Sequence, residues 1–150
     1  MVQYRKMTLA DVESVYAIEL ATFPTPWTLD SFYYELNENQ FSHYLVAEED
    51  GKLIGFCGMW LVIDAAQITN VAVVETARGR GIGEALMREA IRVAREANMD
   101  VMSLEVRSVQ GYPVRGQPVD RRGRNRLRTG AYQRKKEDRE VTYLTLLSHL

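Results

Sequence analysis

Three glycines alternate with larger residues at the point where an apolar β-strand pattern gives way to a helical one. The strand pattern covers residues 67–74, and an amphipathic helical pattern follows from residue 84 to residue 98. Glycines allow a tight loop, and a helix N-terminus offers free N–H groups and a positive dipole end. We therefore predict that this loop binds a phosphate group, with its two arginines adding positive charge. The residues of the loop are Arg78, Gly79, Arg80, Gly81, Ile82, Gly83 and Glu84.

A loop of this kind can also be no more than a tight connection between a strand and a helix. Its glycine spacing differs from G-x-G-x-x-G, and no Lys-Ser or Lys-Thr pair follows the glycines as in a Walker A loop. The loop therefore matches neither standard nucleotide fingerprint. The flanking strand and helix favour phosphate binding over a purely structural turn.

The order of the elements around the loop narrows the fold class. Hydrophobic periodicity predicts the order β-α-α-β-β-β-α-β between residues 4 and 107, with a hairpin turn at Asp50 and Gly51. A doubly wound nucleotide fold would instead alternate strands and helices from its first strand. We therefore expect an α/β fold with a mixed, mostly antiparallel sheet flanked by helices, in a single domain over residues 1–150.

Two threonines mark the predicted starts of the first two helices. Thr8, with Asp11 three residues later, has the pattern of a capping box. Thr28 follows a break at residues 23–27, which contain two prolines, and is a suitable N-cap for the second helix. The sequence thus predicts one helix before this break and one after it.

The residue types needed for several other functions are scarce. With one cysteine, Cys57, and two histidines, His43 and His149, an internal disulfide is excluded and no metal site is predicted. Residues 1–6 lack the apolar stretch of a secretion signal. The longest apolar run, residues 54–63, has the length of a buried strand rather than of a membrane span. We expect a cytoplasmic protein that contacts no membrane.

Charge and hydrophobic patterning both change near residue 107. Residues 1–107 carry 9 Lys and Arg against 16 Asp and Glu, whereas residues 108–150 carry 10 against 4. Amphipathic periodicity ends at the same place, and residues 108–130 contain four glycines, two prolines and six arginines. Aromatic residues are sparse among these arginines, so nucleic-acid binding is not favoured. The segment 108–150 is therefore atypical and basic.

Residues 1–107 resemble the GNAT family of N-acetyltransferases, and within it the bacterial ribosomal-protein alanine N-acetyltransferases. The glycine loop and the Val-Ala-Val strand before it carry the most specific part of the resemblance. The matching stretches are residues 23–28 (Phe-Pro-Thr-Pro-Trp-Thr), 68–73 (Ile-Thr-Asn-Val-Ala-Val), 78–87 (Arg-Gly-Arg-Gly-Ile-Gly-Glu-Ala-Leu-Met) and 104–107 (Leu-Glu-Val-Arg). The resemblance implies a GNAT-like acyl-CoA N-acyltransferase fold and an enzyme that uses acetyl-coenzyme A (acetyl-CoA) without a metal.

The resemblance also implies where each substrate binds. The strand of residues 68–74 splays from its neighbour, and the backbone of Val71, Ala72 and Val73 pairs with the pantetheine arm of acetyl-CoA. The loop of residues 79–84 holds the pyrophosphate. Residues 23–28 and the second helix form part of the acceptor groove, although core packing explains the aromatic residues there equally well. The implied acceptor is a protein N-terminus, that of a small-subunit ribosomal protein with an N-terminal alanine.

The chemistry that the resemblance implies is direct attack of an amine on an acetyl thioester. The amine must be neutral to attack, so a general base is useful. The family residue with this role aligns with Glu105 in the Leu-Glu-Val-Arg stretch. From the residues alone, an exposed strand position is the favoured interpretation of Glu105.

The C-terminal segment departs from the family pattern. The family has an asparagine that contacts the cofactor and a tyrosine that acts as general acid, where this chain has Gln110 and Gln117. None of Tyr112, Tyr132 and Tyr143 aligns with that acid, so the role is left unassigned. If nothing replaces the family's ending, the sequence predicts weakened or absent catalysis.

Three explanations of this segment stay open: a divergent ending, a basic arm that contacts RNA or a ribosomal surface, and a shifted reading frame. The abrupt loss of periodicity favours a shifted frame, which translation of the encoding DNA in all three frames would test. A second functional hypothesis also stays open. The chain could be a non-catalytic module that binds coenzyme A or a nucleotide and has lost its general acid.

Overall fold

A mixed sheet of six strands organises the described part of the chain, residues 1–104 and 132–133 of this computed structural model. The strands are β1 (Gln3–Lys6), β2 (Ser42–Glu49), β3 (Lys52–Val62), β4 (Ala65–Val73), β5 (Val101–Leu104) and β6 (Tyr132–Gln133). They lie across the sheet in chain order. β4 and β5 run parallel, and every other neighbouring pair is antiparallel.

Helices cover both faces of this sheet. They are α1 (Val12–Thr22), α2 (Leu29–Asn37) and α3 (Ile82–Glu96), with short 3-10 turns at Leu9–Asp11 and Glu75–Ala77. α3 packs in one core cluster with side chains of β2, β3 and β4. α1 and α2 pack in a second cluster on the opposite face. No helix within the described residues is long and apolar enough to cross a membrane.

Local side-chain hydrogen bonds form at the turn before α1 and at the start of α2. Asp11 Oδ2 accepts a hydrogen bond from the Thr8 N–H at 2.8 Å, which closes the predicted capping box around the 3-10 turn Leu9–Asp11 that leads into α1. Thr28 Oγ1 accepts from the Ser31 N–H at 3.1 Å at the start of α2. α1 ends at Thr22, two residues before Pro24, which cannot supply a backbone donor.

The alternation of side chains along β3 supplies both cores. Cys57 faces α3, whereas the preceding Phe56 faces α1 and α2. Phe32 of α2 is fully buried and meets the rings of Tyr44 and Phe56 edge to face, with ring centroids 6.1 and 6.0 Å away. Burial of each such side chain contributes about 1.5–3 kcal/mol. Phe32 is therefore a core residue.

β4 contains one extra residue relative to β3. Gly58 pairs with Asn70 and the next residue, Met59, pairs with Ile68, so that Thr69 is left over as a β-bulge. Within the described residues, β5 pairs with β4 only from Ala65 to Ile68. The second half of β4, after the bulge, therefore has no neighbour on its β5 side among the residues that the structure describes.

The predicted α/β class, with a mostly antiparallel sheet between helices, is confirmed. The hairpin turn also forms where predicted, with φ of 52° at Asp50 and 78° at Gly51. The last residue of α2 is Asn37, because the Glu38 and Asn39 N–H groups both donate to the Tyr34 carbonyl and close the helix. The prediction of a single domain over residues 1–150 includes residues 105–131 and 134–150, which lie outside the described residues. It therefore stays a prediction.

Candidate functional site

Two glycines in left-handed conformations shape the loop before α3. Gly79 has φ of 78°, and Gly81, the N-cap of α3, has φ of 77°. Residues with a side chain rarely adopt this conformation. A Cβ at either position would meet no atom within 4 Å. The glycines are therefore required by the backbone, and the space beside the loop is open.

The N–H groups of this loop are available to a ligand. Among the described residues, none of the six consecutive N–H groups of residues 79–84 donates a hydrogen bond. The first backbone bond of α3 comes after them, from the Ala85 N–H to the Gly81 carbonyl at 3.0 Å. Free N–H groups at the positive end of a helix attract anions. The loop therefore has the chemistry of a phosphate site.

The side chain of Ile82 fixes the loop to the core. It is 3% exposed and packs in the cluster between α3 and the sheet, one helical turn before the fully buried Leu86. The apolar anchor holds the first turn of α3 against the sheet, while the glycines on either side of Ile82 stay at the surface or half-buried. The loop can thus keep its shape when it has no ligand.

Among the described residues, no strand pairs with the edge of β4 that Val71 and Val73 turn away from β3, and we call this the free edge. The Val74 N–H donates to the Ile54 carbonyl of β3 at 2.9 Å. Because the direction of backbone groups alternates along a strand, Ala72 also faces β3, whereas Val71 and Val73 direct their N–H and C=O away from it. Arg78 Nε donates to the Val73 carbonyl at 3.0 Å, which agrees with this direction.

The charged side chains of the loop already have partners. Arg80 forms a two-pronged ion pair with the carboxylate of Glu49 at the end of β2, with Nη1 and Oε1 3.0 Å apart. This pairing lowers the pKa of Glu49. Glu84 Oε1 accepts from Arg88 Nη2 at 2.6 Å, one turn further along α3. A phosphate would meet free backbone N–H groups first, and the Arg80 guanidinium only after it leaves Glu49.

The predicted general base lies outside the described residues. Glu105 follows Leu104, the last residue of β5, and its role stays a prediction. The same holds for Gln110 and Gln117 and for the basic segment 108–150. Among the described residues, no group of three or more metal-binding side chains lies together.

A buried polar cluster on the opposite face of the sheet was not predicted. Its carboxylates, Glu19 of α1 and Glu35 of α2, are 0% and 6% exposed. Glu35 Oε2 accepts from Trp60 Nε1 at 2.8 Å, and Glu19 contacts Asn70 in β4. Spacing could have found Glu19, because it lies four residues after the buried Val15 on the apolar face of α1.

Two further side chains of the core have pKa values shifted by burial. Cys57 is 1% exposed, and burial raises the pKa of its thiol to about 12. Burial raises the pKa of the Tyr44 phenol above its ordinary value as well. The buried Tyr44 hydroxyl has no hydrogen-bond partner among the described residues.

Comparison with known proteins adds to this geometry. The model of the acetyltransferase (GNAT) family matches residues 12–112. A Bacillus subtilis protein assigned as a [ribosomal protein bS18]-alanine N-acetyltransferase is 50% identical over 112 residues, which are 75% of this chain and 74% of that protein. The [ribosomal protein bS18]-alanine N-acetyltransferase of Haemophilus influenzae is 32% identical over 99 residues, 65% of each chain. The chain thus spans just under two thirds of the length of this second relative.

A solved structure has a similar fold. The crystal structure of the ribosomal-protein-S18-alanine N-acetyltransferase from Escherichia coli superposes with a TM-score of 0.66 at 24% identity. The match covers 73% of this chain and 70% of that protein. At this level of identity the likeness concerns the fold.

Proposed function

Because this chain belongs to the acetyltransferase (GNAT) family, we propose that it transfers the acetyl group of acetyl-CoA to the N-terminal alanine of ribosomal protein bS18. The substrate comes from the names of the relatives, and the donor from the family. One observation of the structure carries the proposal: within the described residues, six consecutive N–H groups at the start of α3 donate no hydrogen bond, and no strand pairs with the edge of β4 beside them. From a ribosomal-protein acceptor we infer a reaction in the cytoplasm.

The loop and the strand edge suit two different parts of the donor. A pyrophosphate carries several anionic oxygens, which the N–H groups of residues 79–84 can bind. The pantetheine arm contains amide groups, which can pair with the outward backbone groups of Val71 and with the Val73 N–H as a further strand would. The Val73 carbonyl can join them only after Arg78 Nε leaves it. Ala72 holds this edge in place, because its backbone groups pair with β3 and its side chain is buried, with 5% exposed. Arg78 and Arg80 supply positive charge near the phosphates.

The reaction moves one acetyl group from sulfur to nitrogen. The neutral α-amine forms a bond to the acetyl carbon, the carbon–sulfur bond breaks, and coenzyme A leaves as its thiolate. The attacking nitrogen loses one proton to a base, and the thiolate takes up one proton from solvent. We assign the proton-accepting role to Glu105, directly or through a water. A free α-amine has a pKa of about 7.7–8.0, so a base need contribute only about 10²–10⁴-fold. The remaining acceleration comes from holding amine and thioester together.

The direct test combines a binding and a transfer measurement. The chain is incubated with isotope-labelled acetyl-CoA and a peptide with the N-terminal sequence of bS18, and the acetylated position is identified by mass spectrometry. Calorimetry measures acetyl-CoA binding in parallel. We expect binding, thiol release and a label on the α-amine of the terminal alanine. A peptide whose α-amine is already acetylated is the matched control.

Each alternative gives a different result in this test. Tight binding without thiol release would indicate the non-catalytic module. No binding would contradict both functions. Glu105→Gln should lower turnover by about 10²-fold or more while the dissociation constant of acetyl-CoA changes little, because the side chain acts on the amine and not on the donor. An unchanged turnover would remove Glu105 from the mechanism.

A further inference from the structure

A chain of hydrogen bonds connects the loop between α1 and α2 to the bulge in β4. The Trp27 N–H of that loop donates to Glu19 Oε1 at 3.1 Å. Asn70 Nδ2 donates to the other carboxylate oxygen, Oε2, at 3.4 Å. Thr69, the bulged residue, donates from Oγ1 to Asn70 Oδ1 at 2.9 Å. Glu19 thus joins two segments that are far apart in the sequence.

Burial makes these contacts costly to lose. Glu19 is 0% exposed and Asn70 is 8% exposed. A buried carboxylate is stable only when several donors satisfy it, and a buried amide needs partners for its oxygen and its nitrogen. An apolar residue would fill this position of α1 without such a cost. The carboxylate is therefore explained by what it holds in place rather than by packing.

The position of Gly58 shows that the sheet makes room for this cluster. A Cβ on Gly58 would lie 2.5 Å from the Tyr44 ring and would also collide with the Asn70 side chain. Asn70 and Tyr44 thus occupy the space that a side chain on β3 would fill. Both side chains lie on the face of the sheet that packs against α1 and α2. Asn70 follows Ile68, the last residue of β4 that pairs with β5 within the described residues, by two positions.

We propose that Glu19 is a positioning residue, which holds the loop of residues 23–28 in register with the free edge of β4. This inference rests on the proposed function, which gives the free edge to the donor, and on the resemblance, which implies that residues 23–28 bind the acceptor peptide. Glu19 touches neither substrate. It sets the distance between their two binding surfaces, so its loss affects the binding and orientation of the acceptor more than the binding of acetyl-CoA.

The test exchanges the amide and the carboxylate. Asn70→Asp places two carboxylates 3.4 Å apart and breaks the connection without a change in shape. In the double variant Glu19→Gln/Asn70→Asp, the amide at position 19 donates to the carboxylate at position 70. That carboxylate still accepts from Thr69, and the Trp27 N–H still has an acceptor. The pair keeps one negative charge, as in the parent chain.

We expect Asn70→Asp to raise the KM for the bS18 peptide about tenfold, with the KM for acetyl-CoA within about twofold of the parent value. The double variant should recover most of this loss. Asp11→Asn, which removes a buried contact at the other end of α1, is the control for a general loss of stability, and it should leave both KM values unchanged. Thermal unfolding of all four proteins shows whether each is folded.

Three results would overturn the inference. One is an unchanged peptide KM in folded Asn70→Asp, and another is a double variant no better than the single one. The third is a loss that Asp11→Asn reproduces. A parent chain that binds acetyl-CoA but acetylates no peptide would instead refute the proposed function and, with it, the acceptor role of the loop.

Discussion

The conformation of Gly81 separates the phosphate site from an ordinary turn. Gly81 has φ of 77° and Gly51, in the hairpin between β2 and β3, has φ of 78°, and a Cβ would meet no atom within 4 Å at either position. A side chain at either glycine therefore costs a similar amount of backbone strain, about 1 kcal/mol. Only Gly81 lies among the free N–H groups at the start of α3.

We expect Gly81→Asp to abolish acetyl-CoA binding, because its carboxylate would face the pyrophosphate at the same N–H groups. Gly51→Asp introduces the same charge and the same strain, and it should bind as the parent chain does. Isothermal calorimetry of both variants provides the comparison. Equal affinities would show that the loop is only a turn between β4 and α3.

Loss of the ion pair between Arg80 and Glu49 should strengthen coenzyme A binding, by less than Gly81→Asp weakens it. Glu49→Gln releases the guanidinium and removes one negative charge beside the loop. We expect the dissociation constant of coenzyme A to fall about threefold at low salt, with a smaller difference near 1 M salt, where screening acts within about 3 Å.

The control for this charge effect is Glu89→Gln. Glu89 pairs with Arg92 on the exposed side of α3, so its neutralisation changes the net charge equally without freeing an arginine of the loop. It should leave the affinity for coenzyme A unchanged. Weaker binding in Glu49→Gln would mean that the ion pair positions Arg80 rather than competing with the ligand.

At the scale of elements, β3 and β4 depend on the absence of a side chain at Gly58. Gly58→Ala would force the Tyr44 ring and the Asn70 side chain away from β3. We expect a loss of about 2 kcal/mol in the free energy of unfolding, measured by urea denaturation. Gly55→Ala on the same strand meets its nearest atom, the Ala72 carbonyl oxygen, at 3.0 Å and should cost less. A larger loss in Gly55→Ala would contradict the conclusion that Gly58 makes room for the Tyr44 and Asn70 side chains.

Most element positions could be predicted because their determinants are close in the sequence. The cap at Thr28 and its partner Ser31 are three residues apart, and the hairpin turn at Asp50 and Gly51 is set by those two residues. The position of the bulge could not be predicted. Thr69 is left unpaired because of the register between β3 and β4, which no local pattern records.

At the scale of the whole molecule, one ion-pair cluster connects β1, β2 and the start of α1. Arg5 donates to both oxygens of Asp11, at 2.7 and 2.9 Å, and to Glu48 at 3.0 Å. Arg5 and the Thr8 N–H lower the pKa of Asp11 to about 2. The unfolded chain has a value of about 3.9, so this pairing stabilises the fold above pH 4 and is lost as the pH falls towards 2.

We therefore expect Asp11→Asn to lower the free energy of unfolding by about 1 kcal/mol at pH 7, a value reduced for the partial exposure of Arg5. The difference from the parent chain should shrink between pH 5 and pH 2, because Asp11 becomes protonated there. Urea unfolding at several pH values measures it. A difference that stays constant down to pH 2 would show that the carboxylate is not the stabilising group.

The sequence by itself determined the features that depend on neighbouring residues: the glycine loop and its free N–H groups, the capped helix starts, the hairpin, and through its motifs the family. Only the tertiary structure decided which distant side chains meet. Arg80 and Glu49 are 31 residues apart in sequence, and Asn70 and Glu19 are 51 apart. The physical reason is that a φ angle or a cap is fixed within one turn of chain. The partner of a buried charge depends instead on strand register and on which faces the helices cover, and these are set by the packing of the whole core.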